Sequence, residues 1–196
     1  MVVAAAREIR DGEMVFVGMR LPLLGFAVAK ELHAPRSIGI FENGVIRDRP
    51  ALEPILTISD PPNVARALYC GGVLDVMSLL QSGQVDLGFI GGAEIDRFGN
   101  LNTHWVEESG KKIRLPGSGG GADIATLARR CIIIMNHEKR RFRPRVHFIT
   151  SPGYGEGGDW RQMKHIHGGG PSRVITSLGI FSFDPVSGEM LLSFFH

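Results

Sequence analysis

"MVFVGMRLPLLGFAVAKELHAPRSIGIFENG", residues 14–44, decides the fold. Met14–Gly18 is a short apolar run of strand character, and a second such run, Ser37–Phe41, follows later in the stretch. Between them Pro22 stands near a helix start and Pro35 at its stop. Proline is tolerated in a first helical turn and cannot continue a last one, so the spacing predicts a helix from Leu21 toward Pro35. Strand, helix and strand with a crossover of this length make a β-α-β unit, with two parallel strands in one sheet. The stretch ends on Glu42-Asn43-Gly44, where Asn-Gly is a strong turn signal because both residues tolerate positive φ. A carboxylate therefore stands at the lip of an apolar strand. The residues alone leave two readings of Glu42: a solvated turn residue, or a nucleophile or general base tuned by its surroundings.

Outward from this unit the pattern continues. Val2–Arg10 reads as a short helix broken at Asp11-Gly12, and the proline-richer segment from Asp48 to Pro62 as a surface excursion. "VLDVMSLLQSGQ" places Val73, Val76, Met77 and Leu80 at helical spacing. "VDLGFIGG" is a buried strand ending in Gly91-Gly92, and "GADIATLARR" (residues 121–130) a helix leading into the strand "CIIIMN". After Val146–Thr150, short β segments in "RVITSLGIFSFD" and "EMLLSFF" alternate with turns. The sum is a single α/β domain over residues 1–196. Its expected frame is one open, mostly parallel twisted sheet flanked by helices, with an antiparallel C-terminal portion. Ligands of such sheets bind beyond the carboxyl ends of the strands. Glu42, Gly91-Gly92 and Asn136-His137 fall at such ends and are expected on one rim.

Composition narrows the function classes. A net charge of +2, from 22 Lys+Arg against 20 Asp+Glu, gives no argument for a nucleic-acid partner. No apolar run approaches the roughly 18 residues of a membrane span, and the charged start "MVVAAAREIRDG" is unlike a signal peptide, so a cytoplasmic protein is expected. Cys70 and Cys131 are too far apart in sequence to suggest a thiolate metal site, and Cys131 reads as a buried thiol. His165-x-His167 lacks further ligands, so no metal is expected.

Two segments remain. "LPGSGGGADIATL" (Leu115–Leu127) is a glycine-rich loop opening into a helix. It suits backbone N–H donation to an anion or a developing oxyanion, and equally a plain flexible connection. It matches neither the P-loop nor the dinucleotide fingerprint. "HEKRRFRPR" (His137–Arg145) is either a solvated basic face or a contact for phosphates.

Taken in order, "VGMRLPLLGFAVAKELHAP", "FENG", "FIGGAEIDRFGNLNT", "GSGGGADIA", "HEKRRF" and "TSPGYGEGG" resemble the β subunits of family I CoA-transferases, especially those of the glutaconate branch. The resemblance runs from about Asp11 to Phe195 and implies a defined chemistry. The family's catalytic glutamate, in an E-N-G or E-S-G segment at a strand end, corresponds to Glu42. Its G-x-G-G-A segment corresponds to Gly119, Gly120, Gly121 and Ala122, whose N–H groups are expected to hold an oxyanion. Gly91 and Gly92 are expected to line the same pocket, and Asn43 either orients the glutamate or makes the turn. The implied partner is a CoA-transferase α subunit, in a heterodimer or α2β2-type assembly, with the active site at the interface. The implied reaction moves CoA from an acyl-CoA, such as glutaconyl-CoA, to a carboxylic acid through a glutamyl-CoA thioester. Coenzyme A enters as a substrate and no cofactor is expected. An acyl-CoA hydrolase or decarboxylase of the same fold, or a non-catalytic β subunit, is the alternative. Arg20 is a cationic candidate for a distal carboxylate, or a surface residue.

Overall fold

The computed structural model describes residues 1–195 apart from 54, 56 and 109. The chain forms two compact units, Met1–Phe89 and Ile90–His196. The first runs α1 (Val2–Arg7), β1 (Met14–Phe16), α2 (Leu21–Leu32), β2 (Ile38–Ile40), β3 (Val45–Arg47), α3 (Pro61–Val64), β4 (Tyr69–Cys70) and α4 (Val73–Gln81), and closes with β5 (Leu87–Ile90). The β-α-β reading holds: β1 pairs in parallel with β2, Met14 opposite Ile38, and on its other side with β5. Helix α2 stops at Leu32, short of Pro35, because the N–H groups of His33 and Ala34 both return to Ala29 O. The chain then turns into β2.

Side-chain size decides how α2 seats. A Cβ on Gly39 would lie 2.8 Å from the Phe26 ring, so only glycine admits that buried phenyl group onto β2. At the preceding position of the helix, a Cβ on Gly25 would lie 3.1 Å from Ala5 Cβ, which sets the approach of α1. Beyond β2 the sequence reading missed an edge. β3 and β4 continue antiparallel, Ile40 opposite Ile46 and Val45 opposite Cys70. The runs are short, and Arg47 interrupts the apolar pattern although its side chain is buried. The segment from Asp48 to Pro62 is less peripheral than expected, since it leads into α3 and the fully buried Asn63. Its residues 54 and 56 lie outside the described residues.

The second unit continues with β6 (Glu94–Asp96), β7 (Leu101–Asn102), β8 (Trp105–Glu108), β9 (Lys111–Arg114), α5 (Gly121–Leu127), β10 (Arg130–Met135), β11 (Phe142–Arg143), α6 (Trp160–Met163), β12 (Pro171–Thr176), β13 (Gly179–Phe183) and β14 (Met190–Phe195). β10 and β12 are parallel, and β12, β13 and β14 are antiparallel, which is the expected C-terminal portion. Cys131, Ile132 and Ile133 are buried together with Val174 and Ile175. Each such aliphatic side chain contributes about 1.5–3 kcal/mol by leaving water. The fold is thus α/β, with a mostly parallel sheet flanked by helices, as read from the sequence. The unread elements of this unit are the small sheet β11-β6-β7, the hairpin β8-β9 and the short helix α6.

Two buried polar knots tie this unit. Glu94, 2% exposed, accepts from Arg143 Nε (2.9 Å), His147 Nδ1 (2.9 Å) and Asn102 Nδ2 (2.8 Å). Burial alone would raise its carboxyl, but the hydrogen bonds from Asn102 and His147 outweigh that and hold it below the usual glutamate value. Arg161 is 7% exposed and donates to carbonyls of Gly168 (2.7 Å), Gly153 (2.8 Å), Ala125 (2.9 Å) and Pro152 (3.2 Å). It thereby fastens the end of α5 to the segment "SPGYGEGG".

Both knots can be tested by substitution. Arg161→Met strands those carbonyls in the interior and should lower unfolding free energy by about 3 kcal/mol, read from the shift of a urea transition. Because the folded-state pKa of Glu94 lies below its unfolded value, its contribution is complete above about 4.5 and is lost as pH falls through the folded value. Glu94→Gln should therefore flatten the fall of the melting temperature between roughly pH 5 and pH 3; an unchanged slope would refute this role.

Candidate active site

Glu42 lies two residues past β2, half-buried, in a turn that the chain locks from both sides. Gly44 N–H donates to Phe41 O (2.9 Å), and Phe41 N–H donates to Val45 O (2.9 Å). Only Gly44 uses positive φ, at 97°; Asn43 does not, contrary to the expectation for the pair. A Cβ on Gly44 would lie 2.3 Å from Gly71 O, so the turn is pressed against the loop that caps α4. Asn43 acts through its side chain instead. Its Nδ2 donates to Ile58 O (2.7 Å), and Asn63 Nδ2 donates to the same oxygen (2.6 Å). The turn is thus fastened to the segment before α3 through one shared carbonyl.

At the end of β1, Arg20 caps α2 with φ 62° and ψ −114° and is exposed. A side chain held there costs about 1–3 kcal/mol, and such strain concentrates at functional sites.

Near the turn is a cavity of about 320 Å³, walled by Leu23, Phe26 and Ala27 of α2 together with Phe41, Leu52 and Ile55. Arg47 and Asn63 line it, 2% and 0% exposed, with Arg49 and Glu53. Arg47 is met only by carbonyls: Nε donates to Arg49 O (3.1 Å), Nη1 to the oxygens of Pro62 (3.2 Å), Ala65 (2.9 Å) and Asn63, and Nη2 to Pro50 O (3.3 Å). No carboxylate among the described residues forms an ion pair with it, and burial pulls its pKa down. Asn63 Oδ1 is buried and has no hydrogen-bond partner among the described residues. A unit charge about 4 Å from an opposite one at effective dielectric ~20 gains about 4 kcal/mol, several times a neutral hydrogen bond. In the sequence this group is marked only by a charge following "GVI".

The other expected residues belong to the second unit. Gly91 directly follows β5, and a Cβ there would lie 3.4 Å from Ile134 O, which places it beside the end of β10. A Cβ on Gly92 would lie 2.7 Å from Leu101 Cδ2, a close approach that requires glycine. In the glycine-rich loop Gly119 has φ 48°, Gly121 N–H donates to Ser118 O (2.9 Å), and Gly120 caps α5. Gly121 and Ala122 open that helix, whose first N–H groups have no helical carbonyl to bond.

The arginines of the basic run are paired with carboxylates. Arg140 and Arg141 hold Glu138, Arg143 holds Glu94, and Arg145 holds Glu156. Burial pushes the Cys131 thiol up to about 12. Among the described residues no group of three His, Cys, Asp or Glu is placed to hold a metal ion, and no helix is long and apolar enough to cross a membrane.

Comparison with known proteins agrees with the motif order. Residues 1–195 match the coenzyme A transferase family. The chain is 38% identical to the β subunit of 3-oxoadipate CoA-transferase from Pseudomonas knackmussii, over 100% of this chain and 76% of that one. It is 35% identical to the β subunit of glutaconate CoA-transferase from Acidaminococcus fermentans, over 99% and 75%. The crystal structure of the latter enzyme superimposes with a TM-score of 0.85 at 33% identity, covering 98% of this chain and 76% of that one. That of the decarboxylase AibA/AibB superimposes with 0.77 at 25%, covering 97% and 74%. The α/β frame and these likenesses together show that this chain belongs to the coenzyme A transferase family and is a CoA-transferase subunit.

Proposed function

We propose that this chain is the β subunit of a CoA-transferase whose nucleophile is Glu42, working with an α subunit that closes the site. The observation that carries this is the turn itself, with Glu42 held after β2 by the Phe41–Gly44 bond and by the anchoring of Asn43 to Ile58 O. A carboxylate oxygen of Glu42 attacks the thioester carbonyl carbon, the C–S bond breaks, and CoA leaves as the thiolate with a mixed anhydride in place. The thiolate then attacks the glutamyl carbonyl, and the free acid departs as a carboxylate. A second acid takes CoA by the reverse path, which gives ping-pong kinetics. No proton changes hands, so the demands are placement, exclusion of water and an oxyanion site. For the oxyanion we assign the loop Gly119, Gly120, Gly121 and Ala122, in which the bond from Gly121 N–H to Ser118 O shapes the turn, with Gly91 and Gly92 along the wall.

Desolvation sharpens a carboxylate nucleophile and protects the glutamyl-CoA thioester from hydrolysis, and burial by a second subunit supplies both. The relatives' names, glutaconate and 3-oxoadipate, are those of dicarboxylic acids, which supports a dicarboxylic acyl-CoA as substrate. CoA is a substrate here, no further cofactor is invoked, and a substrate of that kind suits a cytoplasmic enzyme.

The complex with its α subunit, incubated with an acyl-CoA alone, should carry CoA on Glu42 by mass spectrometry, and borohydride should reduce that residue. Glu42→Ala should abolish both. No adduct together with an active Glu42→Ala enzyme would sink the proposal. Free acid released without an acceptor would instead mark a hydrolase, and carbon dioxide a decarboxylase such as the AibA/AibB neighbour. Asn43→Ala frees the turn from Ile58 O, and adduct formation should slow about tenfold with KM little changed, which is a loss of about 1.4 kcal/mol in positioning.

A further inference from the structure

The cavity walled by α2 and Phe41 is not explained by the chemistry at Glu42. Its size lies in the range of small-molecule sites, and its walls are mostly apolar. Among its lining groups is a buried guanidinium, that of Arg47, with no carboxylate partner among the described residues. Five N–H protons are available on Arg47. Nε and Nη1 are committed to backbone oxygens, and among the described residues Nη2 reaches only Pro50 O, at 3.3 Å, which leaves one Nη2 proton without a partner there. The cavity is tied to the Glu42 turn through two of its lining residues: Phe41 directly precedes Glu42, and Asn63 shares the Ile58 carbonyl with Asn43.

We infer that this cavity receives the far end of the acyl group and that the group's terminal carboxylate lies against Arg47. The apolar walls take the methylene chain. Arg49 at the cavity is already paired with Asp48, and Glu53 also lines it, which leaves Arg47 as the cation without an ion pair among the described residues. The inference rests on Glu42 being the nucleophile, and it adds the residues that select the acid.

Three thioesters test it on the complex with the α subunit: glutaryl-CoA, pentanoyl-CoA of the same chain length without the charge, and acetyl-CoA. The native enzyme should favour glutaryl- over pentanoyl-CoA at least tenfold in kcat/KM. Because Arg47 also braces five backbone carbonyls, its removal threatens folding. The informative variant is therefore Ala27→Phe, which fills the cavity from α2. It should lower the glutaryl-to-acetyl ratio of kcat/KM at least tenfold while retaining assembly with the α subunit. Equal use of glutaryl- and pentanoyl-CoA, or an equal fall for glutaryl- and acetyl-CoA in Ala27→Phe, overturns the inference. If the Glu42 adduct still forms in those cases, the catalytic reading survives and only the pocket assignment fails; if none of the three thioesters yields an adduct, both fall.

Discussion

Phe26 lies against β2 at a point where Gly39 has no side chain, and that contact positions much of the first unit. It lets α2 sit down on the sheet, and it leaves the parallel pairing of β2 with β1 undisturbed. The strand then delivers its last residues to a fixed height. The same phenyl ring and its neighbours on α2 form one wall of the cavity, so the seating of the helix and the shape of the cavity are one constraint. A larger residue at position 39 would lift the helix and open the site together.

The β-α-β unit was readable because it depends on local signals: apolar runs, a proline inside the first helical turn and another after the last. The antiparallel C-terminal strands were readable for the same reason. The edge strands β3 and β4 were not, since Arg47 ends the apolar run of β3 and looks like surface, and β4 has only two residues, both exposed. The catalytic reading of Glu42 came from the ordered company of other motifs rather than from its own residues. Arg47 and Asn63 had no signal at all. Their significance arises from tertiary burial, and both residue types are ordinarily exposed.

Arg47 and Arg161 show a common way of burying a positive charge. Both are enclosed by backbone oxygens from loops and from short helices. The guanidinium fork organises several irregular segments at once, which a carboxylate partner would not do. The difference is one of surroundings. Arg161 is closed in by Gly168, Gly153 and Ala125, whereas Arg47 faces a cavity.

The chain has two sulfhydryl groups, and the fold treats them oppositely. Cys131 is sealed in the core of the second unit with its thiol pushed up to about 12, so it is inert toward alkylating reagents at neutral pH. Cys70 is exposed, on β4 opposite Val45, the residue that follows the Glu42 turn. A maleimide probe consequently addresses a single sulfur without any mutagenesis. It places a reporter on the strand next to the Glu42 turn, where a fluorophore reads changes in that turn's surroundings.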